Sequence, residues 1–393
     1  MGNPEAALAI ATIMRETGGS GVQSHVATLR RHVAGTRRPS ALVTPFSSGS
    51  PLVAPVFGVR RLVERVDGDS GVWWYRRWHG HYLAQALRES LSSAPSPAVI
   101  YAQCPVAADA ALRVRSNEPV VMAVHFNISQ ADEWVDKGQI RRDGSLYHSI
   151  RRFEVEVLSR LDGLVHVSEF MRSVLEERIP AVRDVPSQVI PNCVGLSPRP
   201  TTPPTRDLVT VGSLEPRKNH GYLLEVLALA AARGHRYTLT VVGDGPDRGF
   251  LRSRARALGV DDLVHFAGHQ HDVPAVLARH RLYCHVSRME SFGIAVAEAM
   301  AVGLPVLAAP VGGVPEVVRA LGADGTWPLD RASEAAERLV RLMSDPSRRA
   351  RMGRVARTTA QERFSSEVQV PRLLQFLDMV RAGHGSTRPR PHR

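Results

Sequence analysis

Short apolar runs alternate with helix-like stretches through the second half of this chain, and this alternation restricts the fold more than any other feature. The runs are DLVTVGS, YTLTVVGDG, LVHFAG, RLYCHVS and PVLAAP, and NHGYLLEVLALAAARG and GPDRGFLRSRARALG lie between members of the series. Strands that alternate with helices form βαβ units, in which helices cover both faces of a parallel sheet. Ligands of such sheets bind beyond the carboxyl ends of the strands. The pattern therefore predicts an α/β domain with a site at that edge.

The first half repeats the pattern less clearly, with strand candidates ALAIATIM, SALVTPF, AVIYAQC, PVVMAVHF, DGLVHVS and SQVIPN. A linker rich in Pro and Thr follows at 197–207. A chain of 393 residues is also long for a single core. We therefore predict two Rossmann-like domains, a final helix that packs on the first of them, and a disordered basic tail, with bounds at 1–200, 201–365, 366–383 and 384–393.

The composition is that of a soluble globular protein, with 44% hydrophobic and 22% charged residues. The net charge of +12 is spread along the chain, so we do not expect a nucleic-acid groove. No stretch reaches the roughly 18 apolar residues of a membrane span. Cys104, Cys193 and Cys284 lack metal-site spacing and favour a reducing compartment. We expect a cytoplasmic protein with no metal and no stable membrane insertion. Its arginine-rich composition suggests an actinobacterial genome.

Two glutamates interrupt the apolar segment RMESFGIAVAEAMAVGLPV, at Glu290 and Glu298. The segment predicts a buried helix from about Ser291 to Gly303. An unpaired carboxylate in such a helix costs several kcal/mol. Either an arginine or backbone partner satisfies Glu298, or the hydroxyl groups of a ligand do.

The spacing of the two glutamates argues against a glycosidase-like acid and base. Eight residues of helix rise about 12 Å, whereas such carboxyl pairs lie about 5–9.5 Å apart. The longer span suits two ends of one extended ligand. The first amides of the helix, those of Phe292, Gly293 and Ile294, offer a site for an anion or a hydroxyl between them.

The segment ESFGIAVAEAMAVGLPVLAAPVGGVPEVV resembles the E-x7-E signature of family-4 retaining glycosyltransferases with the GT-B fold. Segments that agree with this family in order and spacing are VGSLEPRKN, VVGDGPDRGFLRSRARALGV, VHFAGHQHDVPAVLARH, MRETGGSGVQSHV, VVMAVHFN, DGLVHVSEFMR and VIPNCVG. The resemblance implies two Rossmann-like domains facing across a cleft. It also implies hexosyl transfer from a nucleotide-sugar co-substrate with retention and without a metal or other cofactor.

The resemblance assigns the donor to the glutamate segment. Glu298 should bind the ribose hydroxyls and Glu290 a hydroxyl of the donor sugar. The amides of Phe292, Gly293 and Ile294 should contact the sugar and the diphosphate.

Lys218 matches the lysine that neutralises the donor diphosphate in this family. A cation is needed there because charge develops on the leaving phosphate. Many relatives carry an arginine where this chain has Ser213, and we expect Arg217 to replace it.

Five further positions follow from the resemblance. Gly18 and Gly19 correspond to a loop near the donor phosphates and the acceptor, and Gly243 and Gly268 lie in the loops that flank the nucleobase. His125 matches the active-site histidine beside the anomeric carbon.

Two interpretations stay open for the acidic residues Asp132, Glu133 and Asp136. They can belong to a helix that begins at Ser129, as the S-x-x-[DE] pattern indicates. They can also form an acidic patch for a polycationic acceptor. ATIMRETGGSGVQSHV and QADEWVDKGQI are similar to actinobacterial transferases that glycosylate paromamine-type aminoglycosides, which implies a UDP-sugar donor and an aminocyclitol acceptor.

Two other functions fit parts of the sequence. A capsule or glycolipid transferase would need a basic amphipathic helix for an anionic membrane, and VATLRRHVAGTRR is a weak candidate. A non-catalytic sugar-binding protein on the same scaffold would not need Glu290, Glu298 and Lys218 together.

Overall fold

The computed structural model describes residues 7–94, 98–126, 128–196 and 203–387. They form two compact units. The first contains the described residues of 1–18, 26–191 and 369–393, and the second contains those of 19–25 and 192–368. The change of unit between 191 and 192 precedes the boundary predicted at residue 200. Most of the predicted linker, residues 197–202, lies outside the described residues.

The first unit is built on one parallel sheet of six strands. They are β1 (Ala7–Ala11), β2 (Ser40–Val43), β3 (Ala98–Ala102), β4 (Val120–Val124), β5 (Gly163–His166) and β6 (Ser187–Val189). Their order is β2-β1-β3-β4-β5-β6. The helices are α1 (Gly21–Ala34), whose first turn counts with the second unit, α2 (Val53–Val66), α3 (Gly68–Ser93), α4 (Pro105–Val114), α5 (Gln130–Asp136), α6 (Ser145–Leu158) and α7 (Glu169–Arg178).

The second unit is built on a parallel sheet of five strands in the order β11-β10-β7-β8-β9. These are β7 (Arg206–Val211), β8 (Leu239–Val242), β9 (Val264–Gly268), β10 (His280–His285) and β11 (Val306–Ala308). Its helices are α8 (His220–Ala232), α9 (Arg248–Ala257), α10 (Val273–Leu277), α11 (Ile294–Ala301), α12 (Val314–Val318), α13 (Ala332–Met343) and α14 (Pro346–Arg363).

Every predicted strand is present, and the predicted fold class is confirmed. All residues of β1 and β4 are buried, as expected for strands that helices cover on both faces. The core of the second unit joins strand residues such as Leu208 to helix residues such as Leu223 and Leu339. Because parallel strands carry their crossover helices on the two faces, the loops at the carboxyl ends of the strands are left to form a site.

The last helix, α15 (Ser366–Thr387), extends four residues beyond the predicted end at 383. From Gln369 onwards it counts with the first unit. Asp378 of this helix accepts a hydrogen bond from the buried Arg38 at 2.5 Å. Residues 384–387 are therefore helical rather than part of a disordered tail. The rest of the predicted tail lies outside the described residues.

Along the described stretches of the chain, no helix is both long enough and apolar enough to cross a bilayer. Within the same stretches, no group of three or more His, Cys, Asp or Glu side chains is placed to hold a metal ion.

Candidate functional site

The loop after β10 carries Glu290, and α11 begins later than the sequence predicts. Gly293 caps this helix with a φ of 92°, and the first helical residue is Ile294, not Ser291. A left-handed backbone cannot continue a right-handed helix, so Phe292 and Gly293 lie in the loop. Glu290 therefore stands outside the helix, and the separation of about 12 Å expected for one continuous helix does not apply.

The start of α11 presents the amides of Ile294 and Ala295, so Ile294 is the one residue of the predicted three that lies in the helix. The amides of Val296 and Ala297 both donate to Gly293 O, at 3.0 and 3.2 Å. The amides of Ile294 and Ala295 have no carbonyl acceptor within the helix, because they lie in its first turn. They are therefore available in this position to an anion or a hydroxyl.

Glu290 is held in an ion pair with Lys218. Lys218 Nζ lies 2.6 Å from Glu290 Oε1, and His285 Nε2 lies 3.5 Å from the same oxygen. Burial raises the pKa of Glu290, but the charge of Lys218 and the nearby His285 ring outweigh burial and hold this pKa well below its usual range. Glu290 is therefore a carboxylate at neutral pH. It suits hydrogen-bond acceptance rather than proton donation.

A short 3₁₀ turn, Pro216–Lys218, brings both predicted cations to this carboxylate. Arg217 Nη1 lies 3.8 Å from Glu290 Oε2 and donates to Met289 O at 3.1 Å. Its Nη2 lies 2.8 Å from Glu215. Arg217 thus ties the loop after β7 to the loop after β10, and its predicted contact with the diphosphate stays a prediction.

Glu298 contacts a serine rather than the arginine or backbone group considered as its structural partner. Ser24 Oγ donates to Glu298 Oε1 at 2.5 Å. No basic side chain among the described residues forms an ion pair with this carboxylate. Burial raises the pKa of Glu298, and the hydrogen bond from Ser24 offsets this only in part. One hydroxyl uses a single acceptor position of a carboxylate that has about four, so capacity for ligand hydroxyls is left.

Three loops at the carboxyl edge of the second sheet meet through glycines. The Gly243 amide donates to Gly268 O at 2.9 Å. Gly243 has a φ of 125°, and a Cβ there would stand 2.0 Å from Gly212 O. No other residue fits this crossing. Gly243 and Gly268 therefore lie side by side, and their predicted place beside the nucleobase stays a prediction.

The change from the first unit to the second before α1 falls between two neighbouring glycines, Gly18 and Gly19. Gly18 counts with the first unit and Gly19 with the second. A Cβ at Gly19 would stand 2.2 Å from His269 Cε1, in the loop after β9. A side chain at residue 19 would therefore displace the His269 ring.

The first unit holds a separate group of predicted residues at the end of β4. His125 Nε2 lies 3.0 Å from Oε1 of the buried Gln103, which follows β3. Nε2 of Gln103 lies 3.4 Å from Tyr101 O, which turns its Oε1 towards the histidine. His125 therefore donates through Nε2. No motif or spacing in the sequence indicated Gln103.

The interpretation of Asp132 as part of an acidic patch for an acceptor is wrong. It is 7% exposed, and Arg142, Tyr147 and Arg151 donate to its carboxylate at 3.1, 3.1 and 3.0 Å. These bonds occupy Asp132 within the protein, so it is not free for an acceptor. The Ser129 hydroxyl accepts from the Ala131 amide at 2.9 Å, which confirms the alternative of a helix start.

The other two acidic residues differ from Asp132 in their exposure. Glu133 is half-buried and Asp136 is exposed. They remain the candidates for contact with an acceptor.

Gly312 supports the Glu290 loop from the loop after β11. A Cβ at Gly312, where φ is 55°, would stand 1.9 Å from Glu290 O, and the Gly313 amide donates to the same oxygen at 3.0 Å. We expect Gly312→Ala to displace Glu290 and to lower kcat/KM for the donor between about 10-fold and 10²-fold.

The matched control for this change is Gly259→Ala. Gly259 has a φ of 67° with no atom within 4 Å of an added Cβ. Both variants carry the cost of about 1–2 kcal/mol for an alanine in the left-handed conformation. Only the alanine at position 312 places its Cβ against the Glu290 carbonyl. Equal activities of the two variants would show that the contact does not position Glu290.

Two families of known proteins together match most of the chain. Residues 19–197 match "Glycosyltransferase Family 4", and residues 199–359 match "Glycosyl transferases group 1".

Curated relatives match parts of the chain. N-acetyl-alpha-D-glucosaminyl L-malate synthase of Bacillus anthracis is 34% identical over 33% of this chain and 34% of its own length. Alpha-D-kanosaminyltransferase of Streptomyces kanamyceticus is 30% identical over 44% of this chain and 43% of its own. The 2-deoxystreptamine glucosyltransferase of that organism is 29% identical over 35% and 36%. The chain thus spans between a third and a half of the length of these relatives.

Solved structures match nearly the whole chain in fold. Sucrose-phosphate synthase from Thermosynechococcus elongatus has a TM-score of 0.73 at 19% identity and covers 96% of this chain and 100% of its own. Anabaena HepE, solved with UDP and glucose, has a TM-score of 0.68 at 19% identity, with 95% and 100% covered.

Proposed function

We propose that the chain is a glycosyltransferase of the family 4 and group 1 kind that its two halves match, and that it moves a hexosyl or amino-hexosyl group from a nucleoside-diphosphate sugar to an acceptor hydroxyl. The observation that carries the proposal is the pair of Lys218 and Glu290, 2.6 Å apart at the carboxyl edge of the second sheet. One is a cation for a diphosphate and the other a carboxylate for a sugar hydroxyl.

The proposed donor is a UDP-sugar that replaces contacts made within the protein. Lys218 exchanges its ion pair with Glu290 for one with the donor diphosphate. A hydroxyl of the donor sugar then donates a hydrogen bond to the carboxylate oxygen of Glu290 that Lys218 has left. The ribose hydroxyls donate to Glu298 beside Ser24. The HepE structure, which holds UDP, supports the choice of uridine through its similar fold.

The proposed acceptor is an aminocyclitol such as paromamine or a related pseudo-disaccharide, in the biosynthesis of an aminoglycoside antibiotic. The names of two relatives support this class, one as a 2-deoxystreptamine glucosyltransferase and one as a kanosaminyltransferase. Glu133 and Asp136 are the acidic side chains that we propose for its ammonium groups. The proposed location is the cytoplasm, where thiols such as those of the free, buried Cys193 and Cys284 stay reduced.

We propose that transfer occurs with retention and without a metal. Lys218 would stabilise the charge that develops on the leaving phosphate. The same phosphate would accept the proton of the attacking hydroxyl, and His125 would orient the donor sugar. The ionised Glu290 would bind the sugar rather than donate a proton.

The test is a panel of UDP-glucose, UDP-N-acetylglucosamine, UDP-galactose and GDP-mannose against paromamine, 2-deoxystreptamine and water, with nucleoside diphosphate release as the readout. We expect release from at least one UDP-sugar, stimulation by an aminocyclitol, and no loss with a chelator. Release without aminocyclitol stimulation would reject the acceptor and retain the transferase. No release from any donor would favour a non-catalytic sugar-binding protein.

A further inference from the structure

Glu154 on α6 is a buried carboxylate that contacts the amino terminus of α5, shortly after His125. It has no exposed surface. Its Oε1 accepts from the Gln130 amide at 2.6 Å, and its Oε2 accepts from Arg178 Nη1 at 2.6 Å. Gln130 is the first residue of α5. A glutamate from one helix therefore holds the amino terminus of another, where a negative charge is favoured.

Two arginines extend this contact to the neighbouring residues. Arg76 of α3 donates to Gln130 Oε1 at 2.7 Å, so both the amide and the side chain of Gln130 are fixed. The guanidinium of Arg178, at the end of α7, lies 5.9 Å from the centre of the Phe126 ring. Phe126 follows His125 directly. Side chains of three helices thus contact Phe126 and Gln130.

Stability alone does not account for this arrangement. Replacing a buried ion pair by apolar side chains of similar volume is often neutral or stabilising, because the loss of hydration cancels the attraction. Burial raises the pKa of Glu154 even though the charge of Arg178 opposes the change. Burial thus imposes a free-energy cost on the ionised form of Glu154. What the pair supplies is a fixed geometry for the segment that it contacts.

We propose that the ion pair of Glu154 and Arg178 positions His125 by fixing Phe126, which follows His125 directly, and Gln130, at which α5 begins. Both are positioning residues, because they act through the loop and not on the substrate. The inference rests on the proposed function, in which His125 orients the donor sugar.

The same chain offers a matched control at the opposite end of β4. Asp162 accepts from the Val120 amide at 2.9 Å and pairs with Arg115. Here too a carboxylate holds one backbone amide and one arginine, together with His384 Nδ1 at 2.8 Å, but at the amino end of the strand. Loss of this pair should affect stability without reaching His125.

The experiment compares Glu154→Met/Arg178→Met with Asp162→Asn/Arg115→Met in the full chain. The readouts are Tm, the Kd of UDP from calorimetry, and kcat with the most active donor of the panel. We expect the first double variant to lose about tenfold in kcat with the Kd of UDP and Tm close to wild type. We expect the control to keep kcat, whatever its Tm. Glu154→Gln keeps an acceptor for the Gln130 amide and should recover much of the rate.

His125→Ala separates this inference from the proposed function. A large loss of kcat in His125→Ala together with a wild-type kcat in Glu154→Met/Arg178→Met would overturn the positioning role and leave the proposed function intact. A wild-type kcat in His125→Ala would instead reject the role of His125 and the inference with it. Equal losses of kcat in the two double variants would assign the effect to general stability.

Discussion

We expect Lys218→Met to lower kcat by about 10³-fold, because it removes the cation proposed for the leaving diphosphate. The side chain keeps much of its length, so packing in the loop changes little. Lys218 lies 2.6 Å from Glu290, and its loss also leaves that carboxylate buried without its nearest cation. The measurement is steady-state release of UDP from the most active donor of the panel, with and without acceptor.

The pH profile of this variant gives a second readout. In the wild type, Lys218 and His285 hold the pKa of Glu290 well below its usual range, so protonation of Glu290 does not limit activity near neutral pH. Without Lys218, burial is opposed only by His285 and Arg217, so the pKa of Glu290 rises. The acid limb of kcat/KM should therefore move to higher pH in Lys218→Met.

Lys137 supplies the control, since it is the other lysine of the chain. It is exposed and lies 5.0 Å from the centre of the Trp134 ring. Lys137→Met should keep the wild-type kcat and pH profile. Similar losses in both variants would contradict a specific role for Lys218.

We expect Glu298→Ala to weaken UDP binding by about 10²-fold or more. Two hydrogen bonds from ribose hydroxyls to a carboxylate contribute about 1.5–3 kcal/mol each, and about 1.4 kcal/mol corresponds to a factor of ten. Calorimetry with UDP alone measures this loss without a need for acceptor or turnover. Glu337→Ala, which changes an exposed glutamate on α13, is the control.

The affinity of the wild type for UDP should depend on pH through the same residue. Burial raises the pKa of Glu298, so this side chain becomes protonated at a higher pH than an ordinary glutamate. The protonated form accepts fewer hydrogen bonds, and UDP affinity should fall as the pH is lowered through this raised pKa. Glu298→Ala should lose this dependence. Unchanged UDP affinity in the variant would reject the assignment of Glu298 to the donor.

The free energy of unfolding should change with pH in the opposite direction to the affinity for UDP. The folded state holds the Glu298 proton more tightly than the unfolded state, so the free energy of unfolding falls as the pH rises from the ordinary glutamate pKa through the raised one. Glu298→Gln cannot ionise and should have a higher Tm than the wild type above that range. A lower Tm would indicate that Glu298 is a structural residue.

Much of the fold could be predicted because its signal is local. The eleven strands that the structure describes follow from short apolar runs bounded by glycine and polar turns, and helices lie between them. The start of α11 could not be predicted from this periodicity, because the apolar pattern continues through Phe292. The left-handed Gly293, packed close to Val314, determines where the helix begins.

The partners of the charged residues were harder to predict than the residues themselves. Glu290, Glu298 and Lys218 stand out as charges in an apolar helix-like segment and as a rare residue type. Nothing in the sequence indicates that Ser24 lies against Glu298, because 274 positions separate them. Asp132 appeared available for a ligand, yet residues up to 19 positions away occupy it.

The sequence by itself determined the two α/β units, the order of their strands along the chain, and the chemical character of the site. Neighbouring residues encode periodicity and turns, and these decide local structure. The tertiary structure alone decided which partner each carboxylate has: Lys218 for Glu290, Ser24 for Glu298, and Arg178 for Glu154. Such pairings depend on which loops meet at the edge of a sheet and which helices pack together. A carboxylate acquires its pKa and its role only when those contacts remove water and supply a partner.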